Sequence, residues 1–318
     1  MEPYVLTVAL NASVDVAYTV PGFAAGKINR AREVRRVAGG KTNNVARVLR
    51  RLGARVVATG FAGGSAGQFI VRDLERWGVV PDYVQVEGES RSCFTITDPE
   101  TGAVTELREP GPEVTAEDVA RFREHYARLL DGAALVVISG SVPPGVEPGI
   151  YRDLIARARP RGVRVLLDSS GAPLRLALEA RPFLVKPNQA ELAEWAGEAL
   201  RSEAEVLVAA RRMREAGAEW VLVSRGADGA LLVGPDEGGR AGAAWRAVPP
   251  AIRPVNPVGS GDSAVAGLAY GLLQGLGPEE LVRLAVACGT ANALTRGVAE
   301  VDPADVERLK KEIRVERI

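Results

Sequence analysis

The sequence predicts a single α/β domain over residues 1–318, with a mostly parallel central sheet covered by helices on both faces. Three observations carry that expectation. Apolar runs of strand length alternate with amphipathic helical stretches. Polar groups collect at the tips of the predicted strands, in Ser139-Gly140-Ser141, Asp168-Ser169-Ser170, Lys186-Pro187-Asn188 and Ser224-Arg225-Gly226. Ligands of open parallel sheets bind beyond those carboxyl ends. Third, the glycine loop Asn256-Pro257-Val258-Gly259-Ser260-Gly261-Asp262-Ser263 runs into a small-residue stretch, Ala264 to Leu273, that reads as a tightly packed helix.

In chain order, Val5 to Leu10 is a buried strand ending at Asn11. Val14, Val16, Tyr18 and Val20 then alternate with polar or small residues, the pattern of a half-exposed strand. Pro21-Gly22 turns it, and Ile28 to Val37 is irregular, Arg-rich and extended. Gly39-Gly40-Lys41 opens a helix with Val45, Val48, Leu49 and Leu52 on one face. Arg55 to Phe61 is a second buried strand, and another helix runs through Trp77. Val84 to Leu107 breaks the alternation with short strands and a turn at Asp98-Pro99-Glu100-Thr101-Gly102. Residues of about 12–37 and 84–110 are therefore expected to form a small antiparallel lid outside the main sheet. Ala134 to Ser139, Val163 to Asp168, Phe183 to Lys186 and Trp220 to Ser224 resume the buried strands. Ala230 to Val233 and Ala244 to Val248 read as antiparallel strands, and everything from Gly261 on reads as helix.

Composition excludes several classes of function. Forty basic residues balance forty acidic ones, so bulk charge gives a nucleic-acid partner no support. No apolar run approaches the roughly 20 residues of a membrane helix. The start, Met1-Glu2-Pro3-Tyr4, lacks the basic stretch of a signal peptide, and Cys93 and Cys288 fit no metal spacing. A cytoplasmic protein without a membrane partner is expected. His125 is the single histidine, in what reads as an exposed helix, which argues against a His-containing triad and against HExxH zinc chemistry. Any general base must then be a carboxylate. Lysine is scarce as well. Lys310 and Lys311 lie in a charged terminal helix, whereas Lys27, Lys41 and Lys186 stand beside glycines or a proline. A compact ammonium on a flexible stem suits phosphate oxygens.

The glycine loop presents bare backbone N–H groups at a helix N-terminus, a site for an anion. Asp262 inside that positive mouth is expected to stay ionised and so to accept a proton. Two other readings compete. Asp and Ser are ordinary helix caps. Gly259-x-Gly261-x-x-Ala264 also fits a dinucleotide fingerprint, but Glu279 and Glu280 open a helix instead of ending the next strand. Gly40-Lys41-Thr42 is no Walker A motif, because Arg35 stands where that motif needs glycine. It reads as a helix cap or as a polar pocket floor with Lys41 facing a charged group. Asp15 is unfavourable in a strand, so it is either exposed or an acceptor for ligand hydroxyls. Arg91 is either solvated or a phosphate clamp. Asn188 and Glu191 are either a helix cap or a pair holding water around Mg²⁺.

Taken together, Ala38-Gly39-Gly40-Lys41-x-x-Asn44-Val45-Ala46, Ser139-Gly140-Ser141-Val142-Pro143-Pro144-Gly145, Leu167-Asp168-Ser169-Ser170-Gly171, Lys186-Pro187-Asn188-x-x-Glu191 and the glycine loop resemble the ribokinase-like (PfkB-type) carbohydrate kinases. Within them the chain looks like the 1-phosphofructokinase and tagatose-6-phosphate kinase branch. The resemblance implies a ribokinase-like fold and ATP-dependent phosphorylation of a phosphorylated ketohexose, fructose 1-phosphate to fructose 1,6-bisphosphate first. Tagatose 6-phosphate, fructose 6-phosphate, and another sugar or nucleoside are alternatives, with a non-catalytic sugar or nucleotide sensor further off. It implies Asp262 as base and Gly259, Ser260 and Gly261 as the anion hole. Asp15, Gly39, Gly40 and Asn44 would hold the sugar, and Lys41, Arg91 and Ser139 its phosphate. Lys27, on the lid, would reach a phosphate in its own or a partner subunit. Lys186, Asn188, Ser224, Gly226, Gly229, Asn256, Val258 and Asn292 would line the ATP side, and Asn188 with Glu191 would organise Mg²⁺. A homodimer through the lid is implied too. The chain departs from the family pattern at Thr42-Asn43, at Ser92-Cys93 and at Asn11-Ala12-Ser13, all on the expected sugar side.

Overall fold

Val5, Leu6 and Val8 are wholly buried because their strand, β1 (Tyr4–Ala9), lies mid-sheet with helices over both faces. In the computed structural model residues 3–235 and 242–318 are described. Met1 and Glu2, part of the start read above as unlike a signal peptide, lie outside them. After β1 come β2 (Ser13–Thr19), β3 (Glu33–Gly39), α1 (Lys41–Arg51), β4 (Val56–Ala62) and α2 (Gly64–Arg76). The short β5 (Val80–Pro81) and β6 (Val84–Gln85) precede β7 (Arg91–Thr97) and β8 (Val104–Arg108). Next are α3 (Ala116–Leu129), β9 (Ala133–Ser139), α4 (Ile150–Ala158), β10 (Arg164–Asp168), α5 (Gly171–Leu178), β11 (Leu184–Val185), α6 (Gln189–Ala196), α7 (Glu203–Glu215) and β12 (Trp220–Ser224). The chain ends with β13 (Ala230–Val233), β14 (Ala244–Val248), α8 (Ser260–Leu273), α9 (Pro278–Ala293), α10 (Pro303–Glu312) and β15 (Arg314–Arg317).

The main sheet runs β15-β14-β13-β12-β11-β10-β9-β1-β4-β5, with β6 also on β4. From β12 to β5 every pairing is parallel, so β1, β9, β10, β11 and β12 all end on one edge. That edge carries the polar tips. β13, β14 and β15 extend the sheet antiparallel. Apolar residues of α1, α2, α8, α9 and α10 fill the core on one face, and those of α3 to α7 fill it on the other.

α8 is buried along most of its length because its residues are small. A Cβ on Gly267 would lie 2.9 Å from the Leu284 carbonyl and 3.0 Å from Cys288 Sγ of α9. Glycine there lets the two helices approach closely, which fixes the helix that starts at the glycine loop.

The lid is a separate four-stranded sheet ordered β3-β2-β7-β8. Its β2–β3 and β7–β8 pairs are antiparallel, and its central β2–β7 pair is parallel. The expected lid boundary at residue 84 moves to Arg91, since Val84 and Gln85 pair with Phe61 and Ala62 of the main sheet. The stretch read as irregular forms β3 from Glu33 onward. β15 was read as helix, because its charged residues carry no burial pattern. It forms by adding to the exposed edge of β14. The His125 side chain is 15% exposed with Nε2 3.1 Å from Asp82 Oδ1, a partly covered position instead of an exposed one. No helix among the described residues is long and apolar enough to cross a membrane.

Candidate active site

Parallel pairing sets Asp168, the last residue of β10, directly beside Ser139, the last residue of β9. The Ser139 hydroxyl donates to Asp168 Oδ2 at 3.0 Å. Lys186 Nζ, just beyond β11, lies 3.3 Å from Asp168 Oδ1, and Lys41 Nζ, at the start of α1, lies 3.6 Å from Oδ2. Burial by itself disfavours the Asp168 carboxylate, yet Lys186 and Lys41 outweigh it and hold its pKa below the ordinary range. Lys41 shows the reverse balance. Burial lowers its pKa, and the charges of Asp168, Asp262 and Glu191 raise it by more.

The glycine loop faces this cluster. Gly259 has φ +85°, and a Cβ there would lie 2.5 Å from the Ala299 amide, so a side chain is excluded on two counts. A Cβ on Gly261 would sit 3.7 Å from Lys186 Nζ, which places that lysine over the start of α8. The amides of Gly261 and Asp262 have no acceptor among the described residues, as the first turn of a helix leaves them. Asp262 is 7% exposed and accepts from Asn44 Nδ2 at 2.7 Å through Oδ2. Its pKa is pushed up to about 6, by burial first and by Asp168 second, against the pull of Asn44, Lys41 and Lys186. The helix N-terminus was expected to keep this carboxylate fully ionised. Desolvation is the larger effect, and it leaves a carboxyl that titrates near neutrality.

Where the lid meets the floor, Asp15 accepts from Ser13 Oγ at 2.7 Å. Its carboxyl packs where a Cβ of Gly39 would be, 2.0 Å from Cγ, so only glycine at 39 leaves it room. Gly40 has φ +89° at the cap of α1. Arg91, on β7, donates to the Asn11 carbonyl through Nε and Nη2 at 3.3 and 3.1 Å. Lys27 is exposed in the segment between β2 and β3. Thr42 and Asn43 are 1% and 0% exposed, so of the two readings of this turn, helix cap or polar pocket floor, their side chains do not serve the second. Thr42 Oγ1 lies 2.9 and 2.5 Å from the carbonyls of Val8 and Ser139, and Asn43 takes a 2.6 Å bond from the Tyr83 hydroxyl.

On the opposite side, Asn188 and Glu191 form the cap of α6. Glu191 N–H donates to Asn188 Oδ1 at 2.8 Å, and Asn188 N–H to Glu191 Oε2 at 2.9 Å. Glu191 Oε1 stays outside this box. No group of three or more His, Cys, Asp or Glu among the described residues makes a metal cage. The free Glu191 oxygen is a hard acceptor of the kind that could bond to the water shell of a Mg²⁺ ion. Ser224 ends β12 beside Asn188, Gly226 opens the following turn with φ +58°, and Gly229 closes it with φ +80°. Val258 is exposed, with its N–H bonded to Asn256 Oδ1 at 3.0 Å.

Two expected contacts are placed differently. Ser139 spends its hydroxyl on Asp168 instead of facing a substrate phosphate. Asn292 is wholly buried, donates to the Val258 carbonyl and Ser260 Oγ at 2.9 and 3.0 Å, and accepts from Glu300 N–H at 3.2 Å. It braces the glycine loop from behind. The sequence reading assigned no role to Asp168 or Arg47. Asp168 was visible as a strand-tip acid. Arg47 was hidden among apolar residues of α1.

With this geometry in place, the chain can be compared with known proteins. The model of the pfkB family carbohydrate kinases matches residues 5–305. The chain belongs to that family. It is an ATP-dependent sugar kinase. Phosphofructokinase-2 from Escherichia coli is 30% identical, with a TM-score of 0.90 over 97% of this chain and 98% of that one. A protein described as a possible 1-phosphofructokinase from Thermotoga maritima is 29% identical, with a TM-score of 0.87 over 99% of each chain. Arabidopsis thaliana ribokinase, at 22% identity, shares the fold, with a TM-score of 0.78 over 98% of this chain and 99% of that one.

Two predictions follow from this kinase site. A carboxyl whose folded pKa lies near 6 is favoured when protonated, so it adds stability below about pH 4 and loses it as pH rises through 6. Asp262→Asn should therefore be more stable than the parent at pH 8 by about 2–3 kcal/mol, with the gap closing toward pH 4. Urea unfolding at both pH values checks the sign. Gly39→Ala should displace Asp15 and raise the sugar KM about tenfold or more while leaving the ATP KM unchanged, as initial rates would show.

Proposed function

We propose that this kinase acts on a ketohexose that already carries a phosphate, with fructose 1-phosphate as first substrate and fructose 1,6-bisphosphate as product. The carrying observation is Asp262, a buried carboxylate of raised pKa, held by Asn44 at a helix mouth beside Lys41 and Lys186. Lys41, Arg91 and Lys27 on the sugar side support a substrate with its own negative charge. Fructose 6-phosphate is the second reading. The E. coli neighbour is described in complex with that compound. Tagatose 6-phosphate is a third.

In the reaction, the sugar hydroxyl oxygen bonds to the terminal phosphorus of ATP. Its proton passes to the Asp262 carboxylate, the bond from that phosphorus to the bridging oxygen breaks, and ADP leaves. The Gly261 and Asp262 amides would meet the charge growing on the transferring group. Asp15, Gly39, Gly40 and Asn44 would align the sugar, and Lys186 with the Ser224–Gly229 turn would align ATP. Magnesium, held through water near Asn188 and Glu191, would supply charge neutralisation on the phosphates. Closure of the lid would exclude water and limit wasteful hydrolysis.

Exposed Val34, Val104 and Leu107 on the lid strands support pairing of two chains there. Lys27 would then act in its own or its partner's site. Free Cys93 and Cys288 fit a reducing, cytoplasmic setting.

An ATP-consumption screen across sugar phosphates tests the substrate. Fructose 1-phosphate should give the highest kcat/KM, and a better rate with fructose 6-phosphate or a free sugar would replace it. Asp262→Asn should bind ATP normally and lose turnover by at least a hundredfold. The parent's kcat/KM should fall with acid below about pH 6, as Asp262 takes up its proton. Near-normal turnover in the variant refutes the base assignment. Leu107→Glu should shift sedimentation toward a monomer if the lid pairs the chains.

A further inference from the structure

Arg47 is 1% exposed, a buried guanidinium with no carboxylate bonded to it among the described residues. Burial lowers its pKa, while Asp15, Asp73, Glu300 and Asp262 around it favour its charge. A buried cation is costly to fold around, so its bonds indicate what it holds in place. Nη2 donates to Asn44 Oδ1 at 2.8 Å and to the Val298 carbonyl at 3.0 Å. Nη1 donates to the Ala38 carbonyl. The Ala38 N–H donates to Asp73 Oδ2 at 2.8 Å, so this peptide at the root of lid strand β3 is gripped from both sides. Val298 precedes Ala299, the residue against which Gly259 packs. One guanidinium thus touches the lid's root, the sugar-side asparagine and the segment behind the anion loop.

A chemical constraint follows. Guanidinium has donors and no acceptor, so it can meet only the oxygen of the Asn44 amide. The amide must then turn its Nδ2 toward Asp262, whose ionised carboxylate can only accept. We infer that Arg47 is a positioning residue for phosphoryl transfer: it fixes the Asn44 amide so that Asp262 Oδ2 is occupied and Oδ1 stays open to the sugar hydroxyl, and it ties that arrangement to the base of the lid. The inference rests on Asp262 being the base.

Arg47→Lys tests it, since lysine keeps the positive charge and cannot span all three acceptors. The groups facing Asp262 that set its titration are Asp168, Lys41, Lys186 and Asn44, with Arg47 itself coupled to it, and lysine at position 47 keeps that charge. With the Asn44 bond weakened, the acid limb of kcat/KM should move up by about one pH unit. kcat should fall about tenfold or more with the ATP KM unchanged. In an Asn44→Ala background the same substitution should move the acid limb no further, because its route to Asp262 is gone. Calorimetric ATP binding by Arg47→Lys shows that the variant is folded. If Arg47→Lys proves unfolded, Arg47→Gln is read by its fall in kcat at unchanged ATP KM and not by its acid limb, because it also removes the charge coupled to Asp262. An acid limb and kcat equal to the parent's in a folded variant overturn the inference. If Asp262→Asn keeps its turnover, the base assignment fails first, whatever Arg47 does.

Discussion

Two carboxylates share one buried crevice, and the rest of the site answers that constraint. Asp168 and Asp262 each resist desolvation, and each raises the other's cost of ionising. The fold separates their fates. Asp168 receives both lysines and the Ser139 hydroxyl, so it stays charged. Asp262 is desolvated and faces Asp168, and its one amide bond and the pull of the lysines do not offset this, so it hovers near neutrality. Two acids of the same kind become a fixed anion and a carboxyl that titrates near neutrality through their neighbours alone.

Holding that difference requires rigid supports. Asp168 is fixed by β-ladder register with Ser139. Asp262 is fixed by α8, whose close contact with α9 depends on small residues. The loop before it is braced from behind by Asn292 and Asn256, which spend their amides on the Val258, Ser260 and Arg296 atoms around it. The lid is joined differently, through strands that leave the core at Ser13 and Gly39. A site divided between a stiff floor and a jointed cover suits a reaction that must admit two ligands and then exclude water.

Much of this was legible in the sequence, for physical reasons that differ by element. The parallel strands could be read because both of their faces are buried, which leaves continuous apolar runs such as Leu135 to Ile138. The glycine loop could be read because few residues other than glycine fit a positive φ against a neighbouring backbone. β15 could not, since a charged edge strand is defined by its partner and not by its own pattern. The direction of the Asp262 shift could not, because a local sequence shows the helix mouth but not the buried acid from β10. Arg47 escaped notice because an arginine inside an apolar helix face looks like a surface residue until its three acceptors are seen. Thr42 and Asn43 misled in the opposite way. Their polarity suggested ligand contact, and their hydroxyl and amide are spent inside the core.

That last point moves the question of substrate choice. With Thr42 and Asn43 turned inward, Lys41 on the floor and Arg91 on the lid are charged groups that would meet a sugar phosphate, with Asn11 between them. Arg91 is aimed by the carbonyl of Asn11, and Asn11 donates from its side chain to Ser141 at 3.1 Å, next to the tip of β9. The lid strand and the sheet edge are thus linked through one asparagine. The crevice brings its own charge limit to the same choice. Asp168 and Asp262 there are matched by Lys41 and Lys186, so the arriving phosphates find no surplus of positive charge on the floor. Any added anion would push the Asp262 pKa higher and leave less of it ionised to accept a proton. A phosphorylated sugar therefore suits this site only if its phosphate is met away from Asp262 by the guanidinium of Arg91, while the nucleotide's charge is offset by a cation that the nucleotide carries in.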